Sequence, residues 1–156
     1  MTSLLNSLRS QNLSSASAFP LLDLQRYTPT DIRNTIQSLM AEERNDLAVA
    51  LGEAGLSLYP HSEDMLAITG LLAATQQEWA YAIERLTELK TLQAERTQAF
   101  TYLMLARAYR CDLDPMSALE TVELGLAYYP EDADLLAQHA QLKSMGLHTF
   151  AAVRAD

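Results

Sequence analysis

Little in this sequence could staple the chain, kink it or attract a polyanion. Cys111 is its one cysteine, so no internal disulfide can form, and a lone thiol fits a reducing compartment better than an oxidising one. Gly and Pro number only five each while 49% of the residues are hydrophobic, which excludes collagen-like and low-complexity disordered chains. Eleven scattered basic residues stand against twenty acidic ones, a net charge of -9. That balance repels a phosphate backbone, so no nucleic-acid partner is expected. No apolar run approaches the roughly 18 residues of a membrane span. Residues 1–24 carry no Lys, and Ser and Asn interrupt their apolar positions, unlike a secretory signal. A cytoplasmic protein without membrane insertion is the expectation.

What the chain does contain is alanine, leucine and a repeat. Its 156 residues suffice to bury a core without metals or disulfides, and Ala and Leu favour helix. The segment from Gly55 to Ala67 returns seventy residues later, from Gly125 to Ala137, with seven of thirteen positions identical, the Tyr-Pro pair among them. A period of about half that length, near 35, is the signature of stacked helical hairpins. Gly70 stands twelve residues before Ala82, and Ala106 twelve before Ala118. Such pairs put a small side chain on each helix of a hairpin, where close crossing needs one.

Helix punctuation agrees with that period. Thr28-Pro29 supplies a capping hydroxyl and a first-turn proline for a helix over 30–41. A second helix carrying Leu47, Ala48, Leu51 and Gly55 must stop before Pro60. Ser62 caps a helix over 63–75, and Trp79, Ala82, Leu86 and Leu89 mark the next. Phe100, Leu103, Ala106 and Tyr109 share a further helix, Cys111 falls in the loop after it, and Asp114-Pro115 opens another that runs to Pro130. Asp132 caps a last helix over 133–144, ended by Gly146.

Residues 99–132 resemble a tetratricopeptide repeat, with Leu105, Ala106, Tyr109, Ala118, Gly125 and Pro130 on that family's spacing. Residues 63–96 match at Gly70, Ala82, Leu86 and Leu89 but hold Ala94 in the proline's place. Residues 29–62 match mainly at Ala48, Gly55 and Pro60. The resemblance implies an all-α tetratricopeptide-like superhelix over 29–156: three hairpins (29–62, 63–96 and 99–132) plus a capping helix at 133–145. Residues 1–28 form an N-terminal extension. It is either a loose tail or, through Leu4, Leu5, Leu8 and Leu13, one extra helix that covers the groove or pairs with a second subunit.

In this family the first helix of each hairpin lines a concave groove that receives peptides. The matching positions here are Arg33, Gln37 and Met40; Asp64, Ala67, Leu71 and Ala74; Phe100, Leu103, Arg107 and Arg110; and Asp134, Ala137 and Gln141 on the last helix. An apolar middle beside two arginines suits an amphipathic or extended peptide with hydrophobic anchors and an acidic residue. The opposing reading has Leu71 and Leu103 packed on neighbouring helices and the arginines paired with surface carboxylates. Lys and Asn of the carboxylate-clamp members are missing at Arg33, Gln37, Ile68, Phe100 and Met104, so a carboxylate-terminated tail is not the expected ligand.

No enzyme, metal or cofactor is expected. His61, His139 and His148 lack metal-ligand spacing, no glycine-rich phosphate loop exists, and Cys111 has no recognisable base. The clusters Glu42-Glu43, Glu63-Asp64 and Glu131-Asp132 are read as helix-start and turn residues favoured by the dipole. Trp79 either anchors a partner or packs between hairpins. In size, charge and layout the chain is similar to bacterial type III secretion chaperones, which implies a groove that shelters an export substrate. The alternative is a structural adaptor subunit docking through the convex face. The partner is a protein in both readings.

Overall fold

A computed structural model describes residues 4–10 and 24–147. Among them every regular element is helical. We number the helices α1 (Leu4–Ser10), α2 (Pro29–Ala41), α3 (Asn45–Leu58), α4 (Glu63–Thr75), α5 (Trp79–Gln93), α6 (Ala99–Cys111), α7 (Pro115–Tyr128) and α8 (Ala133–Ser144), with a 3₁₀ turn at Ala94–Arg96. The fold is an all-α helical repeat of adjacent helix pairs. It divides into two compact units, Met1–Leu72 and Ala73–Asp156, so that the boundary falls inside α4.

Four of the helix starts follow from side-chain caps. Thr28 accepts from the Asp31 amide while the Asp31 carboxylate receives the Thr28 N–H at 3.1 Å, a reciprocal capping box ahead of Pro29. Ser62 receives the Met65 amide, Asp114 that of Ser117 and Asp132 that of Leu135. Each satisfies a donor that the first helical turn leaves orphaned.

Three first helices end in the same way. At the close of α2, α4 and α6 the N–H groups of Arg44, Glu78 and Asp114 reach back five residues to the carbonyls of Leu39, Ala73 and Tyr109 at 2.8–2.9 Å. These Schellman closures require one residue in the left-handed region, ordinarily glycine. Here it is Glu43 (φ +59°), Gln77 (φ +61°) and Leu113 (φ +62°). Glu42 and Glu43 therefore sit at the C-terminal end of α2, where the helix dipole opposes an acid; this corrects the expectation that the dipole explains them.

The loops between hairpins come in two forms. Tyr59 and Tyr129, each before a proline, cap their helices with near-identical backbones (φ -128°, ψ 66° and 68°), and both amides donate to the glycine four residues back. Ala94 stands where the proline is absent, and the link there differs: φ is +51°, a 3₁₀ turn follows, and the buried Gln93 amide accepts from Thr101 Oγ1 at 2.9 Å.

In the first unit, Ile32, Ile36 and Leu39 of α2 meet Ala48 and Leu51 of α3 and Met65, Ile68 and Leu72 of α4 in one core. The extra helix exists: α1 packs on α2, and Leu4 and Leu8 are buried in that same core with Leu24. Leu13 lies outside the described residues. Gly70 is buried in this unit.

In the second unit, Ala106 and Ala118 share one cluster with Leu119, Val122 and Leu142, both alanines fully buried. Small side chains on both helices of α6–α7 are what permit this. A Cβ on Gly125 would lie 2.9 Å from Tyr102 Cβ and 3.1 Å from Leu135 Cδ1, so only hydrogen fits there. Ala82, also fully buried, packs with Ala73 and Ala108, and Trp79 covers that cluster at the start of α5.

Candidate functional site

The positions assigned to a peptide-binding face can be followed in each unit separately. In the first, Arg33 on α2 donates to the Asp64 carboxylate on α4, which also receives Thr30 Oγ1 at 2.9 Å. The two helices thus meet edge to edge through two residues of the predicted set. The pairing neutralises Arg33, and both side chains are about two thirds covered. Gln37 is exposed, Ala67 is half-buried, and Met40 and Leu71 are half-buried against the core.

The second unit repeats the arrangement. Arg110 on α6 donates to the Gln141 side-chain oxygen on α8, and the separation of thirty-one residues equals that of Arg33 and Asp64. The partner is different in kind: an amide oxygen leaves the guanidinium charge uncompensated. Arg107, one turn earlier on α6, is exposed and forms no ion pair among the described residues. Among the described residues neither arginine is paired with a carboxylate.

Phe100, at the start of α6, is 50% exposed, a large apolar face left to water. Leu103 behaves otherwise: it is 7% exposed and packs with Tyr102 and Leu135. Closed over by Tyr102 and Leu135, it adds little to the surface that Phe100 and Arg107 leave open. Ala74 is half-buried beside the Ala73–Ala82–Ala108 cluster, and Asp134, Ala137 and Gln141 are exposed along α8. Of the predicted positions in this unit, Phe100 and Arg107 on α6 and Asp134, Ala137 and Gln141 on α8 are exposed, and Arg110 is half-buried.

Other features were not legible in the residue spacing. Leu124 and Tyr128, one turn apart on α7, are exposed, and the Tyr128 ring stacks on Tyr102 with centroids 6.4 Å apart and planes 12° apart. Burial raises the Tyr102 pKa above the usual phenol value. Arg85 on α5 lies 4.8 Å from the Tyr81 ring centroid and bonds to Glu84 and Glu88, a cation already occupied. His139 lies 3.3 Å from Glu123. Cys111 is the last residue of α6, exposed, rather than a loop residue.

Among the described residues no three His, Cys, Asp or Glu side chains converge as metal ligands, and no helix is long and apolar enough to cross a membrane. The faces carry apolar surface, hydrogen-bond donors and positive charge. No family model matches the chain, and no curated protein matches it either.

Proposed function

We propose that this chain is a tetratricopeptide-like, non-enzymatic protein that binds another polypeptide. Its most specific role is that of a cytoplasmic secretion-type chaperone sheltering an apolar, acid-bearing segment of an export substrate. The observation that supports this reading best is the second unit's α6–α8 face. There a half-exposed Phe100 stands on the same helix as two arginines that have no carboxylate partner among the described residues, in a chain of net charge -9. Exposed aromatic surface carries a standing cost in water, and the hydrated guanidinium groups beside it are free to pair with a carboxylate. A peptide with a hydrophobic anchor and a carboxylate would cover the first and pair with the second.

The adaptor reading is favoured by a different observation. Leu124 and Tyr128 expose apolar surface on α7, the second helix of its hairpin, where a docked subunit would meet it. One experiment separates the two. The chain is purified from its native cells and its co-purifying proteins are identified by mass spectrometry, for the wild type and for Phe100→Glu, Arg107→Glu and Leu124→Glu. Loss of the partner with the first two variants, at unchanged helicity, is the chaperone outcome. Loss with Leu124→Glu alone is the adaptor outcome. Retention in all three overturns the polypeptide-face assignment.

A further inference from the structure

In a stack of helical hairpins the last helix ordinarily turns a polar side outward, because no further repeat covers it. Among the described residues α8 is the last helix, and its outer side is not polar. Ala133, Leu136, Ala140 and Ser144 are exposed along it, Leu136 at 46%, and Asp134 is the one charge among the exposed residues of the helix. The exposed side of α5 shows the ordinary pattern, with Glu84, Thr87, Glu88 and Thr91 open to water.

Spacing makes the outer side of α8 a seam. Ala133, Leu136, Ala140 and Lys143 recur at alternating intervals of three and four residues, the positions through which two helices interlock side by side. Leu136 is the bulky knob of this seam, and the two alanines leave room to receive one. Charge is sorted along the same helix. Asp132 caps its start, and Lys143, half-buried in its last turn, forms no ion pair among the described residues.

We propose that α8 pairs antiparallel with α8 of a second copy of this chain, forming a homodimer. A twofold axis midway between Leu136 and Ala140 seats each leucine on the alanine of the other copy. The same axis brings Lys143 beside Ala133 and Asp132 of the other copy, so each end of the seam joins opposite charges. A parallel pair would instead set Lys143 against Lys143. The chain's net charge of -9 opposes association of two copies in general, and this sorted seam is where a second copy meets opposite charge and apolar surface together. Gln141 lies about 100° further round α8 than Ala140, so the surface beside Arg110 stays open to a polypeptide. A seam of about three turns buries little area, and the dimer is accordingly weak and reversible.

Sedimentation equilibrium of the full chain, from micromolar to millimolar concentration, tests the pairing. The wild type is expected to show a monomer–dimer equilibrium whose dissociation constant rises at least about tenfold in Leu136→Glu, at unchanged helicity. Orientation is read in the Cys111→Ser background under mild oxidation. Ala133→Cys and Ser144→Cys chains, mixed, should cross-link to each other on the order of tenfold faster than either does to itself. Antiparallel register holds like positions about 15 Å or more apart along the helix, and a disulfide needs its Cα atoms within about 7 Å. A wild type that stays monomeric throughout, a dimer indifferent to Leu136→Glu, or cross-links between like positions as fast as those in the mixture would each overturn the proposal.

Discussion

Tyr129 reaches back thirty-two residues to donate its hydroxyl to the Thr97 carbonyl at 2.8 Å, and Tyr59 does the same to the Tyr27 carbonyl at the same separation and distance. Each bond ties the end of a hairpin's second helix to the residue that stands two before the start of its first helix. Both acceptors lie in loops that have no ladder partner of their own. Tyr129→Phe keeps the ring and removes the bond, so each Tyr→Phe change should cost about 1 kcal/mol in urea unfolding. The double variant should lose close to the sum, since the two tyrosines belong to separate units.

Equivalent turn positions predict substitutions of opposite sign. Leu113 holds φ +62° and is 90% exposed, so it combines left-handed backbone strain with apolar exposure. Leu113→Gly relieves the first and removes the second, offset by the glycine's greater freedom when unfolded; a gain of up to about 1 kcal/mol is expected. Gly146 sits at φ +80° with open space around a built Cβ. Gly146→Ala should therefore lose about 1 kcal/mol from conformation alone. A pair of thermal melts decides both, and a destabilised Leu113→Gly would mean that the leucine packs on something in solution.

The acid limb of the stability curve is set in part by caps. Asp114 accepts from the Ser117 amide at 3.1 Å and the Ser117 hydroxyl at 2.7 Å, which holds its carboxyl below the usual 3.8. Asp31 is lowered by the Thr28 amide and hydroxyl in the same way. A folded-state pKa below the unfolded one stabilises the native chain above the ordinary aspartate value and is lost as pH falls through the folded value. Asp114→Asn keeps a capping oxygen but cannot titrate. Its thermal midpoint should thus fall less steeply than the wild type's between about pH 4 and about pH 2, with near-equal midpoints at neutrality.

How much of this was legible in the residues depends on the range of the interaction involved. Caps act over three residues, so Thr28, Ser62, Asp114 and Asp132 could be read directly, and the helices they open begin where expected. The small pair Ala106 and Ala118 was legible because a hairpin crossing recurs at a constant offset. The turn residues were not: Glu43, Gln77 and Leu113 carry no left-handed signal in their identities, and closure of the hairpin imposes that conformation against their preference. The link at Ala94 was hidden for the same reason, since its shape follows from where Gln93 finds Thr101.

The candidate face divides along the same line. Period and spacing determined which residues share a side within any one helix, because helical phase is a local property. Burial was decided by tertiary structure. Leu103 turned inward because Tyr102 and Leu135 close around it, while Phe100, three residues away, stayed open. Charge compensation was decided there too: whether an arginine is neutralised depends on which side chain of the next first helix reaches it, Asp64 for Arg33 and Gln141 for Arg110. The sequence by itself thus determined the helices, their order and the hairpin period. Only the packed chain settled which side chains remained available, since exposure belongs to the neighbours of a residue and not to the residue.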